Sequence, residues 1–399
     1  MSLVPTPFAG KVHLSKEGRH RILEGHVWIY RTEVSHYDPN IKDGDVVEVV
    51  SAGGKSLGVG LWNSQSQISV RIYSREKVPL NQEIIHCFLS KAFNYREKLF
   101  SGKDSNAYRL FWSESDGLPG LIIDKYADWY VVQFLTSGAD RKRNEILEVL
   151  KEITQSTNII LRNDAPVRLL EGLSLTKESL KENFPCRHLV CIEGIPILVD
   201  LYNGQKTGLY LDQAANYKFV SQIAKGKRVL DCFSYQGLFS IFCARGGAQS
   251  CVAVDQSAAA IDIGKENASQ LGLQIEWVCE NAFDWLRKKE REKEKFDLII
   301  LDPPSFTKTK VQKESAFRGY HEIHLRALRL LDSGGFLASF CCSHHITMEE
   351  WKELISRACW ETNSRLRYLG CLPQSPDHPI LFNIPETEYL KGVLAQKMD

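Results

Sequence analysis

The second half of the chain alternates apolar runs with amphipathic stretches, which predicts strands separated by helices. The apolar runs are RVLDCFS, SCVAVD, IEWVCE, FDLIILDPP and FLASFCCS. Stretches such as AAAIDIGKENASQLGL and MEEWKELISRACWE lie between or after them and are typical of helices. Apolar strands that alternate with helices form a mostly parallel sheet covered on both faces. Two further strand-like runs, RLRYLGCL and YLKGVLA, follow, so we expect a doubly wound α/β sheet with an antiparallel edge.

The first half of the chain has a different pattern. DGDVVEVV and ISVRIY alternate apolar and polar residues as strands do, and AGGK between them marks a hairpin. We expect a small β-barrel over residues 1–75, a central α+β domain over 76–185 with helices at 81–100 and 139–153, and the parallel-sheet domain over 186–399. The segment 15–30 combines basic and aromatic residues, namely Lys16, Arg19, His20, Arg21, Trp28 and Tyr30. Such a mixture suits a surface that holds phosphate and stacks bases, and it suits an ordinary charged helix equally well.

Composition narrows the class of protein. The 399 residues are 43% hydrophobic and 25% charged, as in globular proteins. No run approaches the roughly 20 apolar residues that span a bilayer, and the first residues lack the apolar core of a secretory signal, so we expect a cytoplasmic protein with no membrane partner. The net charge of +1 neither requires nor excludes a nucleic-acid partner. The 11 cysteines form no CxxC pair, and neither a metal site nor a disulfide framework is expected.

Candidate ligand-binding residues stand at the carboxyl ends of the predicted parallel strands, where such sheets bind ligands. They are Asp231, Phe233 and Ser234 after the first strand, Asp255 after the second, Asn281 after the third and Asp302 after the fourth. The turn DCFSYQG lacks the glycine spacing of a dinucleotide-binding loop. Asp255 can accept hydrogen bonds from two ribose hydroxyls, Asn281 can read an adenine edge and Asp231 can face an ammonium group. These groups together suit S-adenosylmethionine, although each acid alone is about as typical of a helix N-cap.

Candidate catalytic residues lie at the ends of the fourth and fifth predicted strands. In DPPSF, residues 302–306, two prolines stiffen the loop and Phe306 offers a flat surface to a base; the same pattern suits methylation of base amino groups. Cys341 and Cys342 are adjacent in a strand, so their side chains point to opposite faces and make a poor chelate or redox pair. We expect one to pack under a helix. The other can face the cleft, where a thiolate could add to C6 of cytosine and make C5 reactive; packing stays open as the alternative role of Cys342.

Over nearly its whole length the chain resembles the bacterial class I 23S rRNA (cytosine-C5) methyltransferases of the large-subunit methyltransferase I type. The matching stretches are GHVWIY, SESDGLPGLIID, LTSGAD, NGQKTGLYLDQ, VLDCFSYQG, FDLIILDPPSF, FRGYHEIHLRAL, SFCCSH, DHPI and YLKG. The resemblance implies an N-terminal PUA domain (a small RNA-binding β-barrel), a central α+β domain and a Rossmann-like, seven-stranded class I methyltransferase domain. It also implies methylation of cytosine C5 in 23S rRNA or a large-subunit precursor, with S-adenosylmethionine as the methyl donor.

The resemblance assigns roles to particular residues. The implied cofactor-binding residues are Lys206, Thr207, Gly208, Tyr210, Gln213, Asp231, Phe233, Ser234, Asp255, Asn281 and Asp302. The implied nucleophile is Cys342, and we expect Asp302 to hold the edge of the target base and Phe306 to stack on it. The chain departs from the family at Leu238, where the family has glycine and helix packing is expected to change. It departs again at His344 and His345, which could depress the thiol pKa, contact phosphate or simply face solvent.

Two other functions stay open on the sequence. RNA methyltransferases that act on a guanine nitrogen share the DPP-aromatic loop but typically lack a cysteine after the fifth strand. A catalytically inactive RNA-binding assembly factor would be expected to lose Asp255, Asp302 or the QKTGLYLDQ loop, and all three are present. A homodimer is permitted but not required.

Overall fold

The structure is a computed structural model that describes residues 8–15, 19–102, 104–306 and 313–398. It divides into two compact units. The first consists of Met1–Gly194, Val199–Leu211 and Pro376–Thr387, and the second of Ile195–Leu198, Asp212–Ser375 and Glu388–Asp399. The domain boundaries expected at residues 75 and 185 stay predictions. Within the described ranges, no helix has the length and apolar character needed to cross a membrane.

The first unit begins with a six-stranded sheet. Its elements are β1 (Lys11–Leu14), α1 (Arg19–Leu23), β2 (Trp28–Tyr30), β3 (Val34–Tyr37), β4 (Val46–Val50), β5 (Ser56–Trp62) and β6 (Ile68–Ser74). The strand order is β2-β6-β5-β4-β1-β3, with β1 parallel to β4 and the other pairs antiparallel. Inward-facing residues such as Val12, Ile29 and Val70 are fully buried and form a core of their own.

The basic and aromatic segment 15–30 is only partly described. Lys16 and the side chains of Arg19 and His20 lie outside the described part of the chain. The guanidinium of Arg21 donates to Glu33 at 2.9 Å and lies 4.8 Å from the ring centre of Tyr30. This cation is therefore already engaged within the sheet, and the role of the segment in holding RNA stays a prediction.

A five-stranded sheet with two long helices follows in the same unit. Its elements are α2 (Gln82–Phe100), β7 (Ala107–Trp112), β8 (Leu121–Tyr126), β9 (Trp129–Phe134), α3 (Ser137–Arg141), α4 (Arg143–Thr154), β10 (Ile159–Asn163) and β11 (Thr176–Ser179), with strand order β11-β10-β9-β8-β7. The helix predicted over 139–153 is divided at Lys142, where the backbone has φ −92° and ψ 11°. Strands β12 (Arg187–Ile192) and β13 (Ile195–Asp200) come next, and the boundary between the units falls within β13.

The second unit is built on a seven-stranded sheet. Its elements are α5 (Ala214–Gln222), β14 (Arg228–Cys232), α6 (Leu238–Arg245), β15 (Ser250–Asp255), α7 (Ala258–Gln270), β16 (Glu276–Cys279), α8 (Ala282–Glu292), β17 (Phe296–Leu301), α9 (Lys313–Leu330), β18 (Leu331–Cys341), α10 (Met348–Glu361), β19 (Leu366–Cys371) and β20 (Lys391–Lys397). The order is β16-β15-β14-β17-β18-β20-β19. β20 runs antiparallel to both of its neighbours, β18 and β19, and the pairs from β16 to β18 are parallel. The predicted doubly wound sheet with an antiparallel edge is therefore confirmed. The order reverses beside β14, where such folds bind ligands.

Helices cover both faces of this sheet. On one face α8, α9 and α10 share a core with the strands, including Leu286, Ile323 and Trp351. On the other, Tyr217 of α5 packs against Phe239 of α6, and Phe239 packs against Phe340 of β18. Leu238, the departure from the family's glycine, is 3% exposed in the first turn of α6, so it contributes to this packing.

Strand β18 begins earlier than the apolar pattern predicts. Phe296 of β17 pairs with Leu331, but Leu298 pairs with Phe336, so the DSGG stretch forms a bulge within the strand. Gly334 has φ +75°, a conformation that glycine adopts without strain. Glycine-rich sequence usually indicates a turn, and for this reason the pattern placed the strand start at Phe336.

Candidate active site

The carboxyl end of β14 carries a buried acid with an unused oxygen. Asp231 is fully buried, and its Oδ2 accepts from the Ser240 amide at 3.1 Å and the Ser240 hydroxyl at 2.9 Å. Oδ1 has no hydrogen-bond partner among the described residues. Burial raises the pKa of Asp231 to about 7, the Ser240 hydrogen bonds oppose this, and the nearby Asp302 and Asp255 add to it. Such an acid is suited to face a cation.

The turn after β14 is held in a rare backbone conformation. Phe233 has φ +62°, Tyr235 has φ +52° and Gly237 has φ +68°. A side chain at Gly237 would lie 2.6 Å from the Trp277 ring, so only glycine fits there. Left-handed residues outside glycine cost free energy, and they cluster at ligand-binding turns.

This turn also presents polar atoms without partners. The Ser234 hydroxyl and both polar atoms of the Gln236 side chain are buried, and within the described part of the chain they have no hydrogen-bond partner. Buried polar groups are normally satisfied. Together with Asp231 Oδ1, they fit a ligand that brings both donors and acceptors, as the amino-acid end and ribose of S-adenosylmethionine do.

The second and third strand ends hold Asp255 and Asn281. Asp255 Oδ2 accepts from the Tyr235 amide and Oδ1 from the Ser257 amide, both at 2.8 Å. These bonds fix the carboxylate and leave each oxygen a second lone pair for a ribose hydroxyl. Asn281 is exposed, and its side-chain oxygen caps α8 by accepting from the Phe283 amide at 2.9 Å. The N-cap role that the sequence left open is present there, and a cofactor contact stays a prediction.

Gln213 and Asp302 are brought together by the fold. The Gln213 amide donates to Asp302 Oδ2 at 3.0 Å, and its oxygen accepts from Asn216 at 2.7 Å. Gln213 is 2% exposed, so its orientation is fixed by burial as well. The pair orients the carboxylate that follows β17.

Tyr320 of α9 holds the loop that follows Asp302. Its hydroxyl accepts from the Phe306 amide at 3.0 Å and donates to the Pro304 carbonyl at 3.3 Å. Its ring stacks on Phe306 with centroids 4.4 Å apart. Tyr320 is fully buried, and His324 anchors it through a 2.6 Å contact to the Tyr320 carbonyl. One face of Phe306 is therefore covered by protein, and stacking on a base requires its other face.

The two adjacent cysteines have different surroundings. Cys341 is fully buried and belongs to the core beneath the helices, and burial raises the pKa of its thiol. Cys342 is half-buried, and its sulfur lies 3.9 Å from the Pro303 carbonyl oxygen. The thiol of Cys342 thus adjoins the loop that begins with Asp302.

The remaining predicted cofactor residues belong to the first unit. The Thr207 hydroxyl is fully buried and donates to Asp124 at 2.6 Å, and it lies 3.0 Å from the Tyr126 hydroxyl. Lys206 has φ +52°, and its ammonium lies 4.3 Å from the ring centre of Tyr210. Gly208 has φ +140°, and a side chain there would meet Val199 and Leu201. Thr207 consequently anchors its loop, and the ligand contacts of all four residues stay predictions.

The two histidines after the cysteines do not form a cluster with other ligands. His344 is exposed, with its ring centre 6.0 Å from that of Tyr389. His345 is half-buried, and its amide donates to the Ser343 hydroxyl at 3.3 Å. Among the residues that the structure describes, no group of three His, Cys, Asp or Glu side chains is arranged to hold a metal ion.

Sequence reasoning missed three residues of this site. Gln236 is uncharged and lies within VLDCFSYQG, but no role followed from that stretch; what marks Gln236 is its buried side-chain amide, which has no partner among the described residues. Tyr320 and Lys391 lie within FRGYHEIHLRAL and YLKG, which carried the resemblance, but no role followed from the patterns alone. Tyr320 reaches the site because α9 packs against β18, and Lys391 does so because β20 pairs with β18 and places Lys391 across from Cys341.

The comparisons with known proteins agree with this geometry. A family model for a PUA-like domain matches residues 12–75, and one for an S-adenosylmethionine-dependent methyltransferase matches 179–382. The chain is 37% identical to ribosomal RNA large subunit methyltransferase I of Aeromonas salmonicida, over 96% of this chain and 98% of that protein. It is 34% identical to the protein of the same name from Yersinia pestis, over 96% and 98%.

Solved structures show the same fold. SMU.776, a methyltransferase complexed with SAH, superposes with a TM-score of 0.85 at 24% identity, covering 97% of this chain and 99% of that one. A SAM-dependent methyltransferase from Streptococcus mutans superposes with a TM-score of 0.84 at 23% identity, with coverage of 97% and 99%.

The seven-stranded sheet and the acids at its strand ends define a class I S-adenosylmethionine-dependent methyltransferase, preceded by a PUA-like domain. Within that class, the chain belongs to the ribosomal RNA large subunit methyltransferase I family.

Proposed function

We propose that the protein transfers a methyl group from S-adenosylmethionine to C5 of a cytosine in 23S rRNA, with Cys342 as nucleophile. The observation that carries this proposal is the difference in burial between Cys341 and Cys342. Cys341 is sealed in the core, whereas the half-buried Cys342 lies 3.9 Å from the Pro303 carbonyl, in the loop that starts with Asp302. A half-buried thiol beside a loop suited to hold a base can reach a pyrimidine ring.

The chemistry requires a nucleophile because cytosine C5 is unreactive. The Cys342 thiolate adds to C6 and forms an S–C6 bond, and the electrons of the C5–C6 double bond then make C5 nucleophilic. Bound S-adenosylmethionine supplies an electrophilic methyl group. After methylation, C5 loses its proton to solvent or to a basic group of the cleft, the double bond re-forms and the thiolate leaves.

The other residues of the site would orient the base. It must leave its stack, at a cost of a few kcal/mol. Phe306, which is only partly buried, would stack on it, and Asp302, oriented by Gln213 at 3.0 Å, would hydrogen-bond its N3 or amino edge. Holding the thiolate, C5 and the methyl carbon in line supplies roughly 7–11 kcal/mol of the rate acceleration.

Ribosomal RNA is the proposed substrate on two grounds. The relatives at 34–37% identity are named ribosomal RNA large subunit methyltransferase I. A PUA-like domain covers residues 12–75, and a module of that kind would grip the RNA backbone. The half-buried thiol of Cys342 favours cytosine over a guanine nitrogen as the target, because methylation of a nitrogen does not need a thiol nucleophile.

The test compares Cys342→Ala with Cys341→Ala. Cys342→Ala should bind S-adenosylhomocysteine as the parent does but lose at least about 1,000-fold in turnover, as nucleophile deletions do. Cys341→Ala should keep turnover and lose about 1 kcal/mol of stability, since it deletes one buried group of methylene size. Transfer of labelled methyl to 23S rRNA measures turnover, and mass analysis of the nucleosides identifies 5-methylcytidine. Near-parental turnover by Cys342→Ala, or a methylguanosine product, would refute the proposal.

A further inference from the structure

Lys391 is a buried cation on the strand that pairs with β18, near the strand end that carries the two cysteines. It begins β20, which pairs antiparallel with β18, and it lies directly across from Cys341. Lys391 is 6% exposed. Its ammonium donates to the Tyr389 carbonyl at 2.8 Å, and in the described portion of the chain no carboxylate forms an ion pair with it. Two of its three ammonium protons therefore have no acceptor among the described residues, which is costly for a buried charge unless an anion lies nearby.

The groups around this ammonium are few. From β18 and the residue after it come the thiols of Cys341 and Cys342, and from the segment before β20 comes Glu388. Asp302 and the Tyr320 hydroxyl act on Cys341 from the loop after β17 and from α9. The ring of His344 lies against Tyr389. Burial lowers the pKa of Lys391, and negative charge on Cys341, Cys342 or Glu388 opposes this.

Of the two thiols, only that of Cys342 is suited to ionise. Cys341 is fully buried among apolar side chains, and burial raises the pKa of its thiol despite the opposing effect of Lys391. Cys342 is half-buried and keeps contact with solvent. A neighbouring lysine lowers the pKa of a thiol and burial in apolar surroundings raises it, so the half-buried thiol opposes the effect of the lysine less than the fully buried one.

We propose that Lys391 is a positioning residue that supplies the counter-charge for the Cys342 thiolate and keeps the nucleophile in its reactive form. This inference rests on the proposed function. It explains why a lysine occupies a buried strand position with a single carbonyl acceptor. It also gives a role to the YLKG motif that the cofactor site does not use.

The same strand supplies a matched control. Lys397 ends β20 and is 9% exposed. Its ammonium donates to the Leu328 and Leu331 carbonyls at 2.7 and 2.9 Å; Leu328 lies in the last turn of α9 and Leu331 is the first residue of β18. Lys397 therefore has a structural role of its own at the opposite end of the strand, away from the cysteines.

The experiment measures how fast iodoacetamide alkylates Cys342 as a function of pH. The Cys342 thiolate forms a bond to the reagent's methylene carbon as the carbon–iodine bond breaks and iodide leaves. Peptide mass analysis assigns the product to Cys342. The parent should show a midpoint at least about one pH unit below the ordinary thiol value of about 8.5. Lys391→Met should raise this midpoint by about one unit, whereas Lys391→Arg and Lys397→Met should leave it near the parental value.

Turnover provides a second readout. Lys391→Met should lose roughly tenfold in kcat near pH 7 and regain most of it at higher pH, because the thiolate then forms without help. If Lys391→Met only reduced the amount of folded protein, its kcat would not recover at higher pH in this way. Calorimetry with S-adenosylhomocysteine checks that the cofactor site of each variant is intact.

Two results would overturn the inference. One is an unchanged alkylation midpoint in a Lys391→Met protein that still binds S-adenosylhomocysteine. The other, which applies even if that variant does not fold, is a parental midpoint at or above the ordinary thiol value. Neither result depends on RNA, so both are separate from failure of the proposed function, which would appear as turnover by Cys342→Ala.

Discussion

At the scale of single residues, Asp231 has the burial and the hydrogen bonding that suit a group facing a cation. Its carboxyl group is fully buried, one oxygen is satisfied by Ser240, and the other has no partner among the described residues. Burial raises its pKa to about 7. The acid is therefore neutral below that pH and anionic above it, and a cationic ligand group favours the anion.

Binding of S-adenosylhomocysteine should consequently weaken as pH falls through about 7. With the pKa of Asp231 at about 7, the ionised fraction drops from most of the molecules at about pH 7.5 to roughly a tenth at about pH 6, so we expect an affinity loss of about fivefold to tenfold. Calorimetry at the two pH values measures it. Asp231→Asn keeps an acceptor for Ser240 and should bind weakly and equally at both. An equally steep pH dependence in that variant would show that another group titrates.

The place of Asp231 in the candidate site could be predicted from the sequence, but that of Gln236 could not. An acid at the end of an apolar strand is visible in the pattern RVLDC, and the sheet rule places it in the cleft. A glutamine in a turn carries no such signal. Its buried, unpartnered amide is apparent only once the turn from Phe233 to Gly237 has its left-handed residues.

At the scale of elements, hydrogen bonds and ring stacking join α9 to residues 302–306 of the loop after β17. The Tyr320 hydroxyl bridges the Phe306 amide and the Pro304 carbonyl, and its ring stacks on Phe306. Prolines at 303 and 304 restrict the loop further. The helix thereby fixes the backbone that would present Asp302 to the base.

Tyr320→Phe should loosen this loop and leave the fold intact. The variant removes one buried hydroxyl and leaves the Phe306 amide unsatisfied, at a cost of about 1–3 kcal/mol in stability. Because we propose that the loop positions the base, kcat should fall by about 10- to 100-fold, while affinity for S-adenosylhomocysteine stays parental. The matched control is Tyr368→Phe, since Tyr368 is 48% exposed on β19. Equal kcat in the parent and Tyr320→Phe would contradict the role assigned to this hydroxyl.

Element types in the second unit followed from the sequence because buried parallel strands are continuous apolar runs. The structural features that the sequence pattern did not predict depend on tertiary contacts. DSGG reads as a turn, yet pairing with β17 carries β18 through it as a bulge. The break at Lys142 between α3 and α4 has no glycine or proline to mark it. Pairing of Lys391 with Cys341 joins residues 50 positions apart and has no local signal.

At the scale of the whole molecule, a net charge of +1 gives no information about where the cationic side chains are located. If the PUA-like domain over residues 12–75 grips RNA through phosphates, each contact releases counterions. Affinity for a 23S rRNA fragment should then fall at least about tenfold between about 50 and 200 mM salt. Affinity for S-adenosylhomocysteine in the same buffers should change little. Binding of RNA that is insensitive to salt would show that phosphate contacts do not dominate.

The central claim is a transient bond between the Cys342 sulfur and C6 of a cytosine. The most direct measurement offers the protein 23S rRNA that contains 5-fluorocytidine, together with S-adenosylmethionine. Fluorine at C5 cannot leave as a proton does, so the adduct should persist and map by peptide mass analysis to Cys342. An adduct on another residue would contradict the account. So would methylation of the unsubstituted 23S rRNA by a protein that forms no adduct with the fluorinated RNA.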